Sequence, residues 1–562
     1  MTGAGDPSPG FSARPGRPQL LITADEAYPV FERLVLSAEQ RVNMGFRVFD
    51  LRTRLRSSEG RAVGGTWSDL LADALRRGVD LRLILADFDP IGAPDLHRGT
   101  WRTMRQFAGL RELAGEAGTG KLEVMASRHP ARIGAVPSAI FWPVAAWKLR
   151  KAAQMLNDLD PGERRRFLSE APRLCPNLKV EDGGEGKVRP DFAHRFRLTP
   201  VTHHQKLAVI DRKRLYIGGL DLDERRWDTP DHNQPARQTW HDTQMLFDEP
   251  ELAEAAERHL NRVPDQTAGE GPEPEGRGNE AAHGPLRLLT TLSAPSRLAP
   301  FRFSPKSLST GLSRAHLEAA FAAKKFIILE TQYLRSRPLA KALARRAREE
   351  AGLHLLAILP SAPEEVAFAS GGGDARYGEF LQARCLRMLR KAFGPRFYAL
   401  APAQHRRPGD PQDEAGEAAI GAPDGTEPEQ ARRHGRAALF GAPVVYVHSK
   451  LSIFDDQRAI VSSANLNGRS MKWDTEAGVE MTDPATVAMI RERVVDHWFP
   501  KVEEAERSAL RDLERGFEAW FRIAREDAGR SPENRRGFLL PYDMRPARRF
   551  GVPVPGVPEE MV

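Results

Sequence analysis

The segments His204-Gln205-Lys206-Leu207-Ala208-Val209-Ile210-Asp211 and His448-Ser449-Lys450-Leu451-Ser452-Ile453-Phe454-Asp455 spell one pattern twice. Each copy is followed by a pair of small residues, Gly218-Gly219 or Ser462-Ser463. Then comes Asp221 or Asn465, 17 positions after the histidine in both cases. A single His-x-Lys is noise. Two full copies with matching downstream residues restrict the chain to a duplicated architecture. In a strand, residues i and i+2 share a face, so His204 points with Lys206 and His448 with Lys450. Leu207, Val209, Leu451 and Ile453 then carry each strand into the core, and the small residues let the following backbone pass close to a bound group.

Two such half-sites facing each other place two histidines and two lysines around one point. Lysines are point charges that hold non-bridging phosphate oxygens, and fixed cations stabilise the charge that builds there in a transition state. A neutral histidine can attack phosphorus, and a protonated one can donate to a departing alkoxide. The pattern therefore equips the chain for work on a phosphodiester with no metal and no cofactor.

The segments around the motifs repeat as well. Val42-Asn43-Met44-Gly45-Phe46 and Leu81-Arg82-Leu83-Ile84-Leu85 read as strands, with helices near 24–40 and 67–77. Phe326-Ile327-Ile328-Leu329 and Leu353–Leu359 read as strands, with helices over 311–324 and 338–350. "QRVNMGFRVFDL" and "KKFIILETQYL" are each a helix end, an apolar strand and a polar turn. The expectation is α/β, in two similar α/β/α sandwich domains. The expected divisions are a disordered tail (1–18), a first domain (19–263) with an insert at 130–200, a Gly/Glu/Pro linker (264–284), a second domain (285–527) with a low-complexity insert at 402–436, and a Pro/Arg-rich extension (528–562) that wraps the surface or is mobile. Within the first insert, Ile133–Trp147 is apolar, aromatic and flanked by cations. It reads as an insert helix or as an element that dips into a lipid interface, and Pro137 and Pro143 are expected to break it.

Composition limits the partners only loosely. The formal charge is +7, from 83 basic and 76 acidic residues. It favours anionic partners without choosing among them. Two cysteines, Cys175 and Cys385, exclude a disulfide scaffold and a cysteine zinc cluster, leaving one bond between them open. The N-terminal residues have no signal-peptide pattern and no run spans a bilayer, so the expectation is a cytoplasmic or peripheral-membrane protein, with export by a route needing no cleavable signal left open.

The motifs resemble those of the phospholipase D superfamily. "LYIGGLDLDERRWDTPDHNQ" with Thr239-Trp240-His241-Asp242 is similar to the first catalytic half of its larger members. "SSANLNGRSMKWDTEAGVEM" is similar to the second, and "FIILETQYL" to the strand that opens it. The resemblance implies a phospholipase D fold with a pseudo-two-fold axis and the active site at the domain interface. It implies His204 as nucleophile through a phosphohistidine, and His448 as acid for the leaving alcohol and then base for water. Lys206, Lys450, Asn465 and the position of Asp221 are implied to bind phosphate, and Asp242 and Glu476 to hold the histidine tautomers. Asp211 and Asp455 complete the catalytic motif, orienting turns rather than reacting.

Asp221 stands where Asn is usual, and is expected to point away from phosphate or to pair with a base such as Arg225. Ser462 replaces a usual Gly with little expected effect, and His203 is expected to pack. The implied activity is hydrolysis of a glycerophospholipid to phosphatidic acid, with transfer to an alcohol as a variation. The implied substrate is phospholipid at a membrane surface, acted on by a monomer. Alternatives are a phosphatidyltransferase of the cardiolipin synthase type, a secreted lipase effector, and a nuclease. No basic cluster with interleaved aromatics supports nucleic acid.

Overall fold

The computed structural model describes residues 17–561 except 117, 133, 182–185, 194–198, 271–281, 297–300, 302–304, 368–372 and 410–436. Most of the expected N-terminal tail and of the 402–436 insert lies outside the described residues.

The first half contributes β1 (Gln19–Ile22), β2 (Arg41–Phe46), β3 (Asp80–Asp87), β4 (Leu122–Arg128), β5 (Leu207–Ile210), β6 (Arg214–Gly218) and β7 (Thr243–Phe247). The second contributes β8 (Leu286–Ala294), β9 (Phe326–Thr331), β10 (His354–Ile358), β11 (Phe397–Pro402), β12 (Lys450–Phe454), β13 (Arg458–Ser462), β14 (Glu476–Met481) and β15 (Leu539–Pro541). The first sheet runs β1-β7-β6-β5-β2-β3-β4, and the second runs β8-β14-β13-β12-β9-β10-β11-β15, with the short strands Ala282–His283 and Lys306–Thr310 also pairing with β8. The first seven strands of the second path repeat the first sheet position for position. Directions repeat too: β2, β3 and β4 are mutually parallel, as are β9, β10 and β11, while the remaining neighbours are antiparallel. The duplication read from two motifs thus extends to strand order.

Helices cover both faces, so the parallel strands are apolar nearly throughout, as Phe326-Ile327-Ile328-Leu329 is. The side-chain alternation of the motif strands assigns their cores. Leu207, Val209, Leu451 and Ile453 meet in one core shared by the two sheets, joined by Val479 and Trp498. Ala208 and Ile210 turn to the outer core of the first half, and Phe454 to that of the second. Full burial of each aliphatic side chain contributes about 1.5–3 kcal/mol, so the shared core holds the halves in fixed register.

The motif aspartates close this geometry. Asp211 has φ +53° and Asp455 φ +54°. Asp211 accepts the backbone N–H groups of Glu39, Gln40 and Arg41 at 2.8–2.9 Å. Asp455 accepts those of Lys324, Lys325 and Phe326 at 2.9 Å. Each ties the turn after its motif strand to the start of the neighbouring strand.

Several expectations change. Ala135–Asp158 is one helix despite Pro143 inside it. Pro137 falls in the first turn, where no N–H partner is needed, and burial of Leu149, Ala153 and Leu156 on a small insert core offsets the cost of Pro143. The expected linker is helical at its start, because the helix Pro250–Ala268 runs through Pro264 to bury Gln266 and Thr267 and stops at Gly269 (φ +74°). The C-terminal extension is integral: Phe538, Leu539 and Leu540 are buried, and β15 pairs with β11. Both cysteines are free thiols. No helix among the described residues is long and apolar enough to cross a membrane.

Candidate active site

His204 and Lys206 lie in the extended lead-in to β5, and Lys450 is the first residue of β12. The motif histidines therefore precede the strands rather than sit within them. In each half the strand lead-in crosses to the other. The N–H groups of His204 and Gln205 donate to the Thr475 carbonyl at 2.8 and 2.9 Å, and those of His448 and Ser449 donate to the His241 carbonyl at 2.7 and 3.1 Å. The residue after each acceptor is the carboxylate that holds the crossing histidine. His204 Nδ1 lies 3.0 Å from Glu476 Oε1 and 3.1 Å from the Ser463 carbonyl. His448 Nδ1 lies 2.6 Å from Asp242 Oδ2. Each active half thus borrows its orienting carboxylate from the other. With Nδ1 donating to the carboxylate, Nε2 of each ring keeps a lone pair for chemistry. Lys450 Nζ also lies 2.9 Å from His448 Nδ1, but the shorter carboxylate contact decides that tautomer.

All four motif groups are buried, Lys206 completely. Each lysine folds back to donate to the carbonyl of its own motif histidine, Lys206 at 2.5 Å. Burial drives both histidines well below their ordinary pKa, and the neighbouring cations add to this: Lys206, Arg47 and Lys450 at His204, and Lys450, Arg226 and Lys206 at His448. Burial brings Lys450 down to about 7, against the opposing pull of Asp242. Burial lifts Glu476 to about 8 and raises Asp242 as well. The site is therefore short of negative charge and suited to an anion.

Asp221 does not pair with Arg225, which instead bonds Glu364. Its Oδ1 accepts the Val48 N–H at 2.9 Å and its Oδ2 lies 3.9 Å from Lys206 Nζ. It sits behind Lys206 because the strand leaving β2 offers an N–H there. Asn465 is buried, and its Oδ1 has no hydrogen-bond partner among the described residues. His203 packs as expected, bonding Thr475 Oγ1 and Ser127 Oγ.

Two arginines were missed. Arg226 lies buried over Trp240 at 3.6 Å, with Nε and Nη1 unpartnered among the described residues, and Trp240 in turn packs against His448 in a tilted contact at 4.5 Å. Arg47, just past β2, has an unpartnered buried Nε and adds to the field at both histidines. Neither stands at motif spacing. The available signal was an arginine directly after an apolar strand and another inside the first-half segment before Trp240.

The family described as "Cardiolipin synthase, PLD-like domain" matches residues 317–498. The match to a phospholipase D-like domain covers that stretch of the chain. Among curated relatives, phospholipase D beta 2 of Arabidopsis thaliana is 24% identical, over 57% of this chain and 44% of that protein. Phospholipase D gamma 1 of the same plant is 22% identical, over 59% and 49%. The chain thus spans less than half the length of the curated relatives it matches. Solved structures similar to it include phosphatidylserine synthase of Haemophilus influenzae Rd KW20 (11% identity, TM-score 0.46, 86% of this chain and 85% of that one) and polyphosphate kinase of Porphyromonas gingivalis (12%, 0.38, 85% and 46%). The matched stretch of the phospholipase D-like domain contains His448, Lys450, Asp455, Asn465 and Glu476, the complete second half-site.

Proposed function

We propose that the protein is a phosphodiesterase of the phospholipase D type that cleaves glycerophospholipids to phosphatidic acid and a free headgroup. One observation carries the reading: two buried histidines, each with Nδ1 held by a carboxylate from the opposite half, flanked by two buried lysines. Both imidazoles are neutral, which suits His204 as nucleophile. A bound phosphodiester brings negative charge among Lys206, Lys450, Arg47 and Arg226, and this restores the proton that those cations displace from His448. His204 Nε2 then attacks phosphorus, the P–O bond to the headgroup breaks, and His448 Nε2 delivers its proton to the departing alkoxide. In the second step His448 takes a proton from water, which attacks the phosphohistidine and frees His204. The lysines and arginines hold the equatorial oxygens throughout.

A lipid substrate is supported by the helix Ala135–Asp158. Val136, Ile140, Val144 and Trp147 are exposed along it, beside Lys148 and Lys151. An apolar ridge edged by cations suits peripheral contact with anionic membrane. Transfer to an alcohol is the second reading, favoured by the cardiolipin synthase description of the matching family. It shares the covalent step and differs only in the acceptor.

The test is incubation with vesicles of phosphatidylcholine, phosphatidylethanolamine and phosphatidylglycerol, with and without ethanol. Phosphatidic acid in water supports hydrolysis, and phosphatidylethanol or cardiolipin supports transfer. Release from none of these lipids, together with cleavage of DNA, sinks the lipid reading.

A further inference from the structure

Three histidines from the two halves converge next to the Asp242 segment of the chain. His232 and His241 belong to the first half. His497 lies on the helix Pro484–Trp498 of the second. One ring nitrogen of each lies within 4.8 Å of the other two. We propose that this cluster is a binding site for a divalent transition-metal ion of the zinc type, which clamps the two halves together beneath the catalytic histidine His448.

Four features support a built site rather than a chance meeting of rings. First, the separation is near what an ion needs. His232 Nε2 and His497 Nε2 are 3.1 Å apart, at hydrogen-bond distance, and all three rings offer a nitrogen within 4.8 Å of the others; two nitrogens bound to one tetrahedral zinc at about 2.0–2.1 Å stand roughly 3.3–3.5 Å apart, so small ring shifts close the set. Second, His241 Nδ1 is buried with no hydrogen-bond partner among the described residues, on a residue that is only 1% exposed. An ion gives that lone pair a use. Third, two of the rings are held from behind by carboxylates: His232 Nδ1 by Asp228 Oδ2 at 2.7 Å and His241 Nε2 by Glu330 Oε1 at 2.8 Å. Metal-bound imidazoles are regularly oriented by a carboxylate on the other nitrogen. Fourth, these carboxylates are engaged elsewhere and so orient rather than ligate. Asp228 also accepts from the Trp240 and Thr229 N–H groups, and Glu330 Oε2 accepts from Trp498 Nε1.

The walls are aromatic. Trp498 lies 4.2 Å from the His241 ring and Phe538 lies 5.3 Å from that of His232. His497 is the partly exposed member of the three. Three imidazoles without thiolate or free carboxylate select zinc, copper or nickel over magnesium and calcium. The ion makes no contact with substrate. Its reach into the site is through His241, whose carbonyl receives the His448 and Ser449 N–H groups and whose successor, Asp242, holds the His448 ring. The histidines here are positioning residues.

The experiment uses the full chain without a histidine tag, stripped with chelator and titrated with ZnCl2, then dialysed and assayed for metal by mass spectrometry. Wild type is expected to retain roughly one zinc ion per chain, and a Co2+-loaded sample to show the intense visible bands of a tetrahedral nitrogen site. His497→Gln, at the partly exposed position, is expected to cut retained zinc at least tenfold, while His354→Gln, on a histidine outside the cluster, retains it. Should His497→Gln fail to fold, X-ray absorption of the zinc-loaded wild type decides, with three imidazole ligands expected. Wild type that retains no zinc, folded His497→Gln that retains as much as wild type, or a zinc shell lacking imidazole overturns the proposal.

Discussion

The two half-sites share a backbone and differ in what fills the space beside each histidine. In the second half Ser463 donates its hydroxyl to Glu476 Oε2 at 2.5 Å and its carbonyl faces His204 Nδ1. At the equivalent place in the first half Gly219 carries nothing, and a Cβ there would collide with Asp242 Oδ1. Two residues before each carboxylate the contrast recurs. Trp240 packs against His448 under Arg226. Its counterpart Asp474 instead accepts the Thr202 N–H and pairs with Arg469. His204 is thus surrounded by polar groups that fix its ring through several contacts. His448 is held by one short carboxylate bond, the Lys450 ammonium and an aromatic face. A nucleophile gains from fixed aim. A proton donor gains from a strong single partner that follows its charge. The duplication supplies one frame, and the fillings specialise it.

The largest effect expected from this contrast separates the histidines by what accumulates. His204→Ala should lower turnover by about 10⁴-fold or more and leave no covalent adduct. His448→Ala should lower it by about 10²–10⁴-fold. With a substrate whose leaving group needs no acid, such as a p-nitrophenyl phosphodiester, that variant should still form a phosphohistidine at His204. Intact-mass analysis after acid-free quench checks this. An adduct on His448 in the His204→Ala variant would reverse the roles assigned to the halves.

Next come the borrowed carboxylates. Glu476→Gln and Asp242→Asn each leave the ring in place and replace the carboxyl behind it with an amide that can hold the wrong tautomer, and each should cost up to about 10⁴-fold in kcat with KM little changed. Because each acts on the histidine of the other half, Glu476→Gln should slow adduct formation and Asp242→Asn should slow leaving-group departure. Single-turnover kinetics with good and poor leaving groups distinguishes them. Glu476 adds a stability signature. Its folded pKa, pushed up by burial to about 8, exceeds the unfolded value, so the folded state holds an extra proton between the two. That stabilisation is complete below about pH 4.5 and is lost as pH rises through 8. Urea midpoints of wild type should therefore fall relative to Glu476→Gln between about pH 5 and pH 9, by an amount worth more than about 1 kcal/mol. A constant gap across that range contradicts the buried, protonated carboxyl.

The turn aspartates test where the halves are alike. Asp211→Ala and Asp455→Ala each abandon three backbone donors and place alanine at positive φ. Each should lose about 2–3 kcal/mol of stability, with kcat of the folded fraction near wild type. Unequal losses would show that the frame is less duplicated than its hydrogen bonds.

What the sequence made legible follows from what repeats. The motif spacing carried the duplication, the core alternation of Leu207, Val209, Leu451 and Ile453, and the residues that meet in the cleft. Which carboxylate serves which histidine was not legible, because the exchange between halves is a property of strand lead-ins crossing at Thr475 and His241, 272 positions from His203 in the first case. Arg47 and Arg226 were hidden because an arginine in an α/β chain is ordinarily solvated. Only burial against Trp240 or beside Lys206 marks them. Pro143 misled the helix reading because propensity is local, while the burial of Leu149 and Leu156 that overrides it depends on the rest of the insert.

The smallest effect tests the single difference between the motifs at their ends, Asp221 against Asn465. Asp221 keeps Lys206 charged from behind: its carboxylate raises the lysine pKa against the burial that lowers it. It also repels an anion placed beyond that lysine. Asp221→Asn retains the bond to the Val48 N–H through its amide oxygen and removes both effects, so they partly cancel, and turnover at neutral pH should change by less than about tenfold. The sign emerges with pH. With the carboxylate gone, Lys206 loses its proton at lower pH, so inhibition by inorganic phosphate should weaken at lower pH in the variant than in wild type. At acidic pH, where the lysine is charged in both, the variant should bind phosphate more tightly because the repulsion is absent. The two inhibition curves should therefore cross. Parallel curves would mean that Asp221 does not act through Lys206, and that the two halves differ at this position in sequence alone.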